Sequence, residues 1–168
     1  MESLQIKLMY GRAKDILNDA NILKQSFATK SDSAYLMTLL SFELFLKCLL
    51  RIQFGKIFQT HEYKELFRKL PDHIQHTIIE LAEQHMSTMA NYSNVDMLLD
   101  TWSNNFIRLR YPYEAYEGLS EQEYNELGET WLKKGAINED ATFIYYPHEL
   151  RGFIFALQQM INENLVNQ

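Results

Sequence analysis

The run SAYLMTLLSFELFLKCLLRIQF, residues 33–54, is apolar on almost every face of the helix that its spacing describes. A helix without a polar side cannot lie on a surface, so other elements must wrap it. The segment is therefore read as a central helix. Gly55 closes it, because glycine accepts the left-handed conformation that ends helices. The rest of the chain agrees with a helical fold. Six Gly and three Pro in 168 residues are about 5% of the chain, against roughly 12% in average usage. So few breakers argue against a turn-rich sandwich or barrel and for long helices with few joints.

Apolar spacing places the other helices. Leu4, Leu8, Ile16, Ala20, Leu23 and Phe27 form a stripe over residues 2–27, and Ser31 or Asp32 can cap the central helix. A short helix follows Thr60, with Leu66, Phe67 and Leu70 inward. After Pro71, a stripe of Ile74, Ile78, Leu81, Ala82, Met86 and Met89 predicts another. NYSN breaks the chain, and Val95, Leu98, Leu99, Trp102 and Phe106 mark a helix that stops near Pro112. Ser120 with Glu123 has the form of a capping box opening a helix through Tyr124, Leu127 and Trp131 to Gly135. ATFIYY is a short strand or an extended lid. Pro147 starts the last helix, with its stripe at Leu150, Phe153, Ile154, Leu157 and Ile161. No repeat or linker divides the chain. It reads as one all-α domain, an up-and-down helical bundle over residues 1–168, with an irregular insertion or lid at 112–147.

Charge and cysteine usage narrow the function. The formal net charge is -6, which argues against a general DNA- or RNA-binding surface, since phosphate contacts supply most nonspecific affinity. One Cys excludes an internal disulfide framework and a Cys-rich zinc site. Cys48, within the apolar run, reads as a buried thiol. No run reads as long and apolar enough to span a bilayer, and MESLQIKLMYGRAKD lacks the apolar core of a signal peptide. A soluble cytoplasmic protein with no membrane contact is expected.

Three constellations could carry chemistry. Glu43 and Lys47 stand four apart inside the apolar helix, as an ion pair at the rim or as one wall of a polar pocket. In IRLRYPYE, Arg108, Arg110, Tyr111, Tyr113 and Glu114 combine planar cations, aromatic faces and a carboxylate. That set can hold a phosphate and stack a base, or Arg110 can be a structural tie to Glu114 or Glu43. His73, His76 and Glu80 share a helical face, but no third strong ligand is placed, so no metal and no cofactor is expected. His61 and His148 both stand where helix caps are read. No phosphate-binding glycine loop, GxSxG elbow or paired-Cys motif is present.

The segment AYLMTLLSFELFLKCLLRIQFGKIFQTHEYKELFRKL resembles the first half of HEPN domains, named for higher eukaryotes and prokaryotes nucleotide binding. The shared features are Glu43 and Lys47 in an ELxLK-like core, a Gly-containing break, and a helix start at His61-Glu62-Tyr63 followed by leucines. RYPYE, residues 110–114, is similar to an Arg-Tyr-x-Tyr-Glu variant of that family. The resemblance covers residues 3–114 and more weakly the last helix. It implies a helical bundle, frequently a homodimer, in toxin–antitoxin, phage-defence or RNA-processing settings.

Many members are metal-independent ribonucleases that use an Arg followed four to six residues later by a His. This chain departs from that pattern. After Arg110 the next histidine is His148, and Tyr113 and Glu114 stand where the histidine is expected. Arg68 and His73 have the spacing, but they lie across Pro71 in another part of the chain. The resemblance thus implies a domain that binds a nucleotide, RNA or protein partner at Glu43, Lys47, His61, Arg108, Arg110, Tyr111 and Tyr113 without cutting RNA. The alternatives are a ribonuclease using Arg110, with Glu114 or a histidine brought in by the fold, and a helical adaptor with no nucleotide affinity.

Overall fold

Around the apolar run, a computed structural model describes residues 2–26, 32–137 and 140–166. Seven α-helices fill these residues: α1 Glu2–Ser26, α2 Asp32–Phe54, α3 Tyr63–Arg68, α4 Asp72–Met86, α5 Val95–Arg108, α6 Glu121–Lys133 and α7 Pro147–Val166. No strand occurs among the described residues, so ATFIYY is irregular chain, bent at 141–143 and left-handed at Tyr146 (φ 47°), and not a strand. The fold is an all-α helical bundle.

α2 is the centre of it, touching α1, α3, α5 and α7, while α4 packs against α7. Phe42, in the middle of α2, meets the rings of Tyr63, Trp102 and Phe153 edge-on at 5.2, 5.4 and 6.2 Å. Three other helices thus converge on one α2 side chain, in the tilted geometry that aromatic rings prefer. By length and composition α2 is apolar enough to cross a bilayer, contrary to the sequence expectation, but 67% of that window is buried within the bundle. Its hydrophobicity is used on neighbouring helices.

α1 runs antiparallel to α2. The Ser41 hydroxyl donates to the Ala13 carbonyl, Lys24 Nζ donates to Thr38 Oγ1, and Arg51 donates to Gln5 Oε1. The buried face of α1 is Ile6, Ala13, Ile16 and Ala20, whereas Leu4 and Leu8 are exposed. The predicted stripe is therefore rotated at its N-terminal end. Phe27 and Ser31 lie outside the described residues. Gly55, at φ 66°, ends α2 as expected. Thr60 does not cap α3 directly; its Oγ1 accepts from the Glu62 amide just before the helix. Met89 is exposed on a single 3-10 turn after α4. The α5 and α7 stripes are buried as read, with Phe106 partly covered.

The 112–147 insertion has two parts. α6 opens with the expected Ser120–Glu123 capping box but buries none of its residues. Residues 143–146 form a pinned strap across α2 and α5. The Tyr35 hydroxyl donates to the Tyr145 carbonyl at 2.6 Å, and Asn105 Nδ2 donates to the Ile144 carbonyl at 2.6 Å. The Tyr145 hydroxyl donates to Asp32 at the start of α2.

Candidate functional site

A polar group at the middle of the apolar helix α2 needs a compensating partner, and Glu43 has two. Its side chain is 4% exposed, and Oε1 accepts from Lys47 Nζ at 2.9 Å and from His61 Nδ1 at 2.8 Å. α2 supplies Glu43 and Lys47 one turn apart. The chain after Gly55 turns back so that His61 reaches the same oxygen from outside. The Lys47 side chain is 11% exposed and that of His61 is 70%. A buried carboxylate therefore anchors an exposed imidazole. A carboxylate only accepts, so Nδ1 is the donor in this contact and Nε2 is left on the outer side of the ring. Glu43 Oε2 is buried without a hydrogen-bond partner among the described residues.

Tyr63 lies behind this group. Its amide donates to Ser103 Oγ and its hydroxyl donates to the Leu39 carbonyl, which locks α3 onto α5 and α2. Burial pushes its phenol well above the usual range; the Glu43 carboxylate adds to the rise and the Arg110 guanidinium opposes it. Tyr63 thus feels both the α2 carboxylate and the Arg110 cation. The Tyr63 ring also meets Phe106 at 6.3 Å, and the Arg110 guanidinium lies 4.9 Å from that Phe106 ring.

Arg110 is exposed just past the end of α5. Its Nε donates to the Phe106 carbonyl at 3.0 Å. Among the described residues it has no ion pair, so the expected tie to Glu114 or Glu43 is replaced by a local one. The remaining guanidinium nitrogens make no hydrogen bond among the described residues. Arg108 turns elsewhere, over the Phe143 ring of the strap at 5.0 Å. Tyr111 and Tyr113 are exposed and touch each other edge-on at 6.3 Å. Glu114 is exposed on the following 3-10 turn.

The candidate residues therefore divide. Glu43, Lys47 and His61 form one contact group; Arg110 is coupled to it through Tyr63 and Phe106; Tyr111, Tyr113 and Glu114 lie beyond Arg110 in sequence; Arg108 holds the strap. Tyr63 is a member of the site that the spacing did not single out, although it stands two residues after His61. Arg68, by contrast, is structural: it pairs with Asp96 at 2.6 Å and donates to Gln75 Oε1 at 2.7 Å. Among the described residues no three His, Cys, Asp or Glu side chains are grouped to hold a metal ion. Burial pushes the Cys48 thiol up to about 12, which removes it as a nucleophile near neutral pH.

No protein-family model matches the chain, and neither does any curated protein or solved structure.

Proposed function

We propose that the chain is a HEPN-like domain that binds a phosphate-bearing ligand, a nucleotide or an RNA segment, on the surface between His61 and Arg110. The observation that carries this reading is the exposed His61 held by the buried Glu43, with an exposed guanidinium, Arg110, beside the Phe106 ring that meets Tyr63. A guanidinium with unpaired donors suits a phosphate. Tyr111 and Tyr113 offer π-faces beside it for a base. A hydrogen bond to a charged group contributes about 1.5–3 kcal/mol, so losing one weakens binding by roughly tenfold or more.

Titration of wild-type protein with mononucleotides and with short single-stranded RNA, in chelator, tests the reading. His61→Ala and Arg110→Ala should each weaken the tightest of these by about tenfold or more with helical content unchanged. No binding by the wild type, or equal binding by both variants, overturns it.

The Glu43–His61 pair also favours a second reading, a metal-independent ribonuclease. An imidazole held at Nδ1 by a carboxylate presents Nε2 as a base for a ribose hydroxyl, and Arg110 would stabilise charge on the phosphate. RNA cleavage in chelator that both substitutions abolish would select this reading over binding alone.

A further inference from the structure

The insertion that carries α6 leaves and returns at one turn of α5. It leaves through Leu109, which is buried, and Arg110. It returns at Phe143, whose ring lies 5.0 Å from the Arg108 guanidinium, and at Ile144, whose carbonyl accepts from Asn105. Asn105 and Arg108 belong to the last turn of α5, and Arg110 stands just past it. The arm is therefore rooted at both ends beside the guanidinium assigned to phosphate.

Beyond this root the aromatic side chains fall into two groups. Tyr111 and Tyr113 meet edge-on next to Arg110. Farther along, Tyr116 meets Tyr124 edge-on at 4.9 Å, so the Tyr124 side of α6 touches the 3-10 turn Pro112–Tyr116 that also holds Tyr113. Tyr124, Gly128 and Trp131 stand at i, i+4 and i+7 and share that side, with Glu126 and Glu129 on the opposite one. Tyr124 is half exposed, and a Cβ at 128 would meet nothing within 4 Å. A glycine weakens the middle of a helix; here it leaves a flat stretch of backbone between two aromatic residues. The Trp131 ring is held in place, its indole donating to the Ile137 carbonyl at 2.8 Å. A planar ring fits such a slot.

Building on the ligand reading of His61 and Arg110, we propose that this side of α6 is a second base-stacking station and that the ligand is a single strand of two or more nucleotides. Arg110 holds a phosphate, Tyr111 and Tyr113 take one base, and the slot of Tyr124, Gly128 and Trp131 takes another. Successive bases of a single strand stack on aromatic side chains in this way whatever their sequence. A duplex keeps its bases stacked on one another and offers neither station a free face. α6 carries four glutamates against one lysine, so the second station adds affinity through stacking and not through charge, and its share persists as salt rises.

Calorimetric titration of the full chain in chelator compares adenosine monophosphate, its single-stranded tetranucleotide and a blunt RNA duplex. The tetranucleotide should bind about tenfold or more tighter than the monophosphate, and that ratio should hold at raised salt. It should also quench Trp131, the other tryptophan, Trp102, being fully buried. Tyr124→Ala and, separately, Gly128→Leu, which fills the slot with a good helix former, should each remove most of the tetranucleotide's advantage with helical content unchanged. A tetranucleotide no tighter than the monophosphate, an advantage that both variants keep, or a duplex that binds as tightly as the single strand overturns the second station and leaves the His61–Arg110 site standing. No binding of any of the three overturns both.

Discussion

Glu43 and Lys47 form an ion pair in the middle of a helix whose other faces are apolar, and such a pair is seldom retained for stability. Desolvating two charges offsets most of their attraction, while removing one alone leaves the other buried and unpaired. Glu43→Ala should therefore cost about 3–5 kcal/mol, the Lys47 side chain being only 11% exposed. Glu43→Leu combined with Lys47→Met should instead be neutral or stabilising, because it swaps the pair for apolar volume and removes the unpaired Oε2. Urea denaturation of the two variants measures the difference. If the double variant is as unstable as Glu43→Ala, the pair is a structural requirement of α2. If it is as stable as wild type yet loses ligand affinity, Glu43 is present to position His61. Glu43 and Lys47 were visible in the sequence as charges out of place in an apolar run. His61 stood beside them only through the family resemblance, and its contact with Glu43 was not legible, since it is made through a turn after Gly55 that has no periodicity to read.

Glycines within helices distinguish an element that packs from one that does not. In α7, a Cβ at position 152 would run into the Tyr92 hydroxyl and Met86 Cγ, because α4 and the chain after it approach α7 closely there. Gly152→Ala should destabilise by about 1–3 kcal/mol. In a chain of this size that lowers Tm by roughly 2–4 °C per kcal/mol. A Cβ at Gly128 in α6 would meet nothing within 4 Å. Gly128→Ala should strengthen that helix by about 0.5–1 kcal/mol and slow its amide exchange while leaving the main thermal transition in place. A shifted Tm for Gly128→Ala would show that α6 belongs to the cooperative core. The same contrast explains what patterning could reveal. α5 packs against α2 and α3, and α7 against α2 and α4, so nearly every apolar residue on their stripes is buried and period alone finds the face. α6 has an equally clear period, yet among the described residues it buries none of its side chains. In α1, Leu4 and Leu8 are exposed although Gln5 and Ile6 both meet α2, because the buried face there is turned away from the stripe the spacing describes. Periodicity identifies a face able to bury itself; which faces are buried depends on where neighbouring helices lie.

At the scale of the whole molecule, the buried phenols tie distant parts of the bundle to one pH response. Tyr35 in α2, Tyr63 in α3, Tyr92 before α5 and Tyr145 in the strap all have phenols pushed above their usual range, with burial the main cause in each. Three of them donate to main-chain carbonyls across elements: Tyr35 to Tyr145, Tyr63 to Leu39 and Tyr92 to Glu149. Tyr145 donates to the Asp32 carboxylate. An ionised phenolate could make none of these bonds. Below pH about 10, the ordinary tyrosine range, the folded and unfolded chains both keep these protons, so the groups add no pH dependence. Above it the unfolded chain releases protons that the fold retains, and unfolding then becomes easier with each step up in pH. The urea midpoint should therefore fall as pH rises beyond about 10. Absorbance of tyrosinate should rise in a cooperative step together with the loss of helical signal, because these four hydroxyls hold α2 to α3, α7 to the chain before α5, and the strap to α2 at both Tyr35 and Asp32. Tyrosinate from these four positions, followed in Tyr→Phe variants one at a time, that forms well before the helical signal falls would show that the phenols are not part of the cooperative unit.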